Sequence, residues 1–128
     1  SRPGGHNNPG DNDDGFCVRQ AGEELLSALA AADAPVQAGI LVVLSDGYPA
    51  VSGRPPDRCA ADLRSAIDWA AREGLHLVGL GVGRDTQHVE DFYPISRASV
   101  PVADLPEVLG GLVRTALGSV HARLLESR

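Results

Sequence analysis

Aromatic side chains are scarce in this 128-residue chain, which holds one Trp, two Tyr, two Phe and no Met. A core must therefore be filled from Leu, Val, Ile and Ala, the residues of helices packed on a parallel sheet. Cysteine is scarce too. Cys17 and Cys59 form no CxxC pair and no zinc spacing, which sets zinc-binding modules aside. A single disulfide stays open, and a reducing cytoplasm is the simpler reading. Basic residues are few: eleven face seventeen acids, for a net charge of −6. With no Lys/Arg cluster, neither nucleic acid nor an anionic membrane is the expected partner. No apolar run reaches the ~20 residues that span a bilayer, and no basic stretch leads into a signal-like apolar segment. The phosphate loop GxxxxGK[ST] and the nucleophile elbow GxSxG are also absent.

What is present is an alternation of helix-length and strand-length segments. Residues 1–13 are rich in Gly, Pro, Asn and Asp and read as a flexible linker. The chain opens at Ser1, as if cut from a longer polypeptide. Residues 14–32 place Val18, Ala21, Leu25, Leu29 and Ala32 on one helical face, and Pro35 terminates it. Residues 39–44 are apolar without alternation, which predicts a strand buried on both faces. A helix over 58–73 lines Leu63, Ala66, Ile67 and Ala70 on one side, and Gly74 closes it. A strand over 75–82, a short helix to about residue 92 and a third strand over 99–103 follow. Asp104 then caps a long last helix, with Pro106 in its first turn and Glu107 at the capping-box position.

This order predicts one α/β domain over 14–126, a three-layer α/β/α sandwich around a parallel sheet. Three strands are few for such a sheet, so the domain's N-terminal strands are expected to be missing from it.

Ligands of open α/β sheets bind at the carboxyl ends of the strands. Two acids stand there, Asp46 and Asp85. Ser45-Asp46-Gly47 puts a hydroxyl and a carboxylate at the rim, the oxygen donors that hard divalent cations take. Asp46 also fits a turn-initiating residue. Asn12, Asp13 and Asp14 open the first helix, where acids serve equally as N-caps. An EF-hand register fails, since Gly10 and Ala21 would occupy ligand positions. Gly79, Gly81 and Gly83 lack dinucleotide spacing and lie within a strand, so they admit close packing instead. The four histidines are scattered. His88 follows a strand end and could approach the rim, with no carboxylate paired to it in sequence.

Taken in order, these segments resemble one family. Residues 41–49, LVVLSDGYP, look like the late strand of von Willebrand factor type A (VWA) domains, whose terminal Asp belongs to a metal-ion-dependent adhesion site. Asn12, Asp14 and Gly15 with Arg19 and Ala21, then Gly81-Val82-Gly83-Arg84-Asp85, Val89, Phe92, Tyr93, and Val100, Val102 and Asp104 narrow the likeness. They resemble the T subunits of aerobic cobaltochelatase over residues 10–118.

The resemblance implies a VWA, Rossmann-like fold and a Mg²⁺ site using Asp46, Asp14, Asn12 and Ser45. The family's Asp-x-Ser-x-Ser motif does not occur in these residues, so the site is expected to be incomplete. It further implies a cytoplasmic, non-catalytic interaction module. Its partners would be an AAA+ ATPase subunit and the large chelatase subunit, in a complex that inserts cobalt during cobalamin synthesis. Two alternatives share the architecture, a magnesium chelatase D-type protein and a nitric-oxide-reductase-activation type protein. A phosphotransferase using Asp46 as nucleophile would want a second carboxylate two residues on, where Tyr48 stands.

Overall fold

The computed structural model describes residues 13–32 and 39–126, with side chains through residue 122. Residues 1–12, including Asn12 and nearly all of the expected linker, lie outside the described residues, as does the Pro35 terminator. Four helices and three strands follow one another: α1 (Asp14–Ala30), β1 (Gly39–Ser45), α2 (Pro56–Arg72), β2 (Leu75–Val82), α3 (His88–Phe92), β3 (Ile95–Val100) and α4 (Leu105–Glu126).

The sheet is parallel throughout, in the order β1-β2-β3. Gly39 pairs with Leu75 and Ser45 with Gly81, so the carboxyl ends of β1 and β2 are level. β2 is the middle strand and alternates its side chains between two cores. Leu75 and Leu77 face Val18 of α1, Leu63 and Ile67 of α2, and Val89 and Phe92 of α3. Val78 and Leu80 face Leu112 and Ala116 of α4. Helices thus cover both faces, as the alternating order predicts.

α1 and α2 pack side by side, and Gly15 lets them do so. A Cβ there would press against the backbone of Asp62 and Leu63. Within β2, Gly79 leaves room for the Tyr93 ring and Gly81 for Thr86. Gly79 and Gly81 serve close packing of the α3 segment, as expected of glycines within a strand, whereas Gly83 lies beyond β2 at φ 82° with open space where a Cβ would stand. Neither cysteine is in a disulfide; Cys17 is exposed and Cys59 buried. Among the described residues no helix is long and apolar enough to cross a membrane.

Three expectations are corrected. The third strand is Ile95–Val100 rather than 99–103. Pro101, which has no N–H to give a ladder, ends it, and Val102–Asp104 tighten into a 3-10 turn. Asp104 therefore closes that turn before α4 begins. Near its end β3 carries a bulge, passing from Arg97 to Val100 while β2 passes from Leu80 to Val82. Ser99, at φ 58°, absorbs the extra residue.

The second correction concerns burial. Residues 39–44 are not buried on both faces: Leu44 is 60% exposed. β1 is an outer strand of the described sheet, and the strand closed on both sides is β2. The third concerns α2, which starts at Pro56, two residues before the expected 58. Proline is pre-set for a first helical turn, and Pro55 stands before it in extended backbone.

Burial ranks the cost of truncation. Leu77→Ala should lower stability by roughly 2–5 kcal/mol, while Leu44→Ala should cost under about 1 kcal/mol. Denaturant unfolding of both variants checks the order, and equal losses would place β1 in a closed interior.

Candidate functional site at the carboxyl rim

α1 runs antiparallel to the strands. Leu25 and Leu29, in its second half, crowd Gly39 at the start of β1. Its first turn therefore lies at the other end, beside the residues that follow β1. Asp13 is the N-cap: its Oδ1 accepts from the N–H of Phe16 at 3.3 Å. The same oxygen pairs with Arg54 Nη1 at 3.3 Å, and Arg54 also reaches Asp62 at 3.1 Å. With its oxygen engaged twice, Asp13 is a structural cap.

Asp14 has a different environment. Its Oδ2 is buried with no hydrogen-bond partner among the described residues. Burial raises its pKa to about 6, and the charges of Asp13 and Asp46 add to the rise. Asp46 is thus near enough for its charge to bear on Asp14. Asp46 is exposed in the turn after β1 and Asp14 lies at the opening of α1, the same end of the sheet. Asp46 also lines a cleft of about 340 Å³ with Leu44, Ser45 and Val82. Tyr93 lies beneath, 3% exposed, its hydroxyl likewise without a partner among the described residues. Burial pushes its phenol up, with the charges of Asp14 and Cys17 contributing.

Ser45 is 6% exposed and already engaged. Its hydroxyl donates to the Gly47 carbonyl at 2.8 Å and lies 3.3 Å from His88 Nε2. His88, 8% exposed, reaches the rim, as its place after a strand end allows, and its partner there is Ser45. Its ring meets Tyr48 edge-on at 5.3 Å and Phe92 at 6.2 Å. Burial lowers its pKa, opposed by a hydrogen bond to the Gly47 backbone and by the charge of Asp91. The contact follows from the strand register. Ser45 pairs with Gly81, and the tight turn after β2 brings residue 88 back over that pair.

Asp85, the other strand-end acid, belongs to a separate cleft. It sits at φ 60° and lines about 450 Å³ with Gly83, Arg84, Gln87, Ser99 and Pro101.

The rim's donors are compatible with a hard cation. Mg²⁺ keeps several waters and is commonly held through one or two carboxylates. Asp14 and Asp46 supply two carboxylates, and a cation would give the buried Asp14 oxygen the partner it lacks among the described residues. Those residues contain no cluster of three or more His, Cys, Asp or Glu placed to hold a metal. Comparison with protein-family models, curated proteins and solved structures finds no match to this chain.

The raised pKa of Asp14 has a stability consequence of definite sign. Between its ordinary value of 3.8 and about 6 the folded state holds a proton that the unfolded state has lost. Stability therefore falls as pH rises through that window. Asp14→Asn should be more stable than the parent without divalent cation at pH 7.5, by about 1–2 kcal/mol once solvent screening is allowed for. The difference should shrink towards pH 4. Denaturant unfolding at the two pH values checks this, and a difference independent of pH would assign the effect to shape. His88 acts in the opposite sense. Its lowered pKa favours the folded state above about 6.5, and that contribution is lost as pH falls.

Proposed function

We propose that this chain is a metal-dependent, VWA-type docking module, the C-terminal part of such a domain, serving a cobaltochelatase-like complex. The observation that carries the reading is an Asp14 oxygen buried and unpartnered among the described residues, on a carboxyl whose pKa is raised by burial and by the charges of Asp13 and Asp46. Paired carboxylates that repel one another cost stability, and such costs concentrate where a protein binds something.

In this reading Asp46 and Asp14 would hold Mg²⁺, with Ser45 beside them; Asn12, the fourth residue that the resemblance implies, lies outside the described residues. A bound cation supplies open coordination positions that an acidic side chain of a partner can fill. The protein residues do the rest. Asp13 fixes the start of α1 through its cap and its pairing with Arg54, and β1 delivers Asp46 level with the end of β2. By resemblance the partners are an AAA+ ATPase subunit and the large chelatase subunit, in the cytoplasm, and cobalt is the cargo of the assembly. The module contributes docking and no chemistry of its own.

Asp46→Ala in the full-length protein should abolish Mg²⁺-dependent capture of the ATPase subunit while changing stability by within ~0.5 kcal/mol, since the side chain is exposed. Pull-downs in Mg²⁺ and in EDTA, read beside thermal melts, measure both. Capture at parental strength in excess Mg²⁺ would reduce Asp46 to a turn residue.

A further inference from the structure

We propose that His88 is a positioning residue for this rim: its imidazole N–H holds Ser45, whose hydroxyl holds Gly47, and thereby sets how Asp46, between them, presents its carboxylate. The inference rests on the reading of the rim as a cation-dependent docking site, and it adds a residue that this reading does not contain.

Proton accounting gives the direction of the contact. The Ser45 hydroxyl has one proton and gives it to the Gly47 carbonyl at 2.8 Å. The 3.3 Å approach of His88 Nε2 to the same oxygen is then completed by a proton on Nε2. Ser45 links the ring to the Gly47 carbonyl. The residue before Asp46 is thus tied to the ring, and through its hydroxyl to the residue after it.

That ring is itself held. It is 8% exposed, with Tyr48 and Phe92 edge-on to it, and the Arg64 guanidinium covers Phe92 at 4.5 Å. The segment that carries it is anchored on β3 at two points. The N–H of Ser99 donates to Thr86 Oγ1 at 2.8 Å, and the N–H of Ala98 donates to Glu90 Oε2 at 2.9 Å. Asp46 follows the last residue of β1 and has no ladder of its own. Its direction depends on what fixes its neighbours: His88 holds Ser45, and Ser45 holds Gly47. An outer residue that orients a ligand in this way typically changes metal affinity by about 10–100-fold when lost.

The experiment is Mg²⁺ titration calorimetry on the full-length parent, His88→Phe, His88→Gln and the Ser45→Ala/His88→Phe pair with its single variants, with thermal melts in EDTA alongside. Phe keeps an aromatic ring between Tyr48 and Phe92 and removes the donor; Gln restores a donor. His88→Phe should weaken Mg²⁺ binding by about 10-fold, and His88→Gln should recover most of it. The double variant should lose less than the product of the two single losses, because both act on one contact. The melts in EDTA should fall far less than the affinity does. Parental affinity in His88→Phe, or a loss in His88→Gln as deep as in His88→Phe, overturns the positioning role while leaving the cation reading standing. A parent that binds no Mg²⁺ overturns the cation reading, and the role of His88 with it. Long-range ¹H–¹⁵N spectra of the parent add a measurement independent of how the variants fold. The proton should reside on Nε2, and a neutral ring carrying it on Nδ1 overturns the proposal.

Discussion

The middle strand β2 is apolar on both sides, and the rest of the structure follows from that constraint. Leu75 and Leu77 point one way, Val78 and Leu80 the other, and none is more than 5% exposed. A strand closed on both faces needs a partner strand at each edge and a helix layer on each side. β1 and β3 supply the edges. α1, α2 and α3 cover one face and α4 the other. Parallel pairing then requires a return crossing between successive strands, so each strand's carboxyl end arrives at the same rim.

That rim is where the structure tolerates poor local arrangements. An acid in the first turn of a helix ordinarily gains from the helix dipole. Asp14 instead loses hydration and meets two like charges, which together raise its pKa to about 6. Close by, β3 takes on a bulge and both Asp85 and Ser99 adopt left-handed backbone. Such residues persist when surrounding contacts hold them, and Thr86 does so here by accepting from the N–H of Ser99 and donating to the Gly83 carbonyl. The opposite end of the sheet shows plain packing, with Gly39 crowded by Leu25, Leu29 and Leu75.

The two strands that look alike in sequence have different surroundings. β1 is the more uniformly apolar run, yet Leu44 is exposed near its end, whereas β2, interrupted by His76 and two glycines, is the buried one. Its glycines explain this: they are where Tyr93 and Thr86 press against the strand. An apolar run reports that a strand can be buried, and position in the sheet decides whether it is.

The sequence by itself determined the element order, the parallel α/β class, the inner face of α2 and the carboxyl-rim position of Asp46. All of these depend on periodicity, on chain-breaking residues and on the handedness of crossovers, which are local or topological rules. The tertiary structure decided the rest. It gave two adjacent acids different roles: Asp13 paired with Arg54 and Asp14 lost its water. It ended β3 at Val100 through the contacts of Ser99 and the geometry of Pro101. It also set His88 against Ser45, forty-three positions apart in the chain. No pattern along a sequence reports such a meeting, because it arises from strand register and the turn after β2. Hydration, pKa and hydrogen-bond partners are properties of surroundings, and surroundings exist only once the chain has folded.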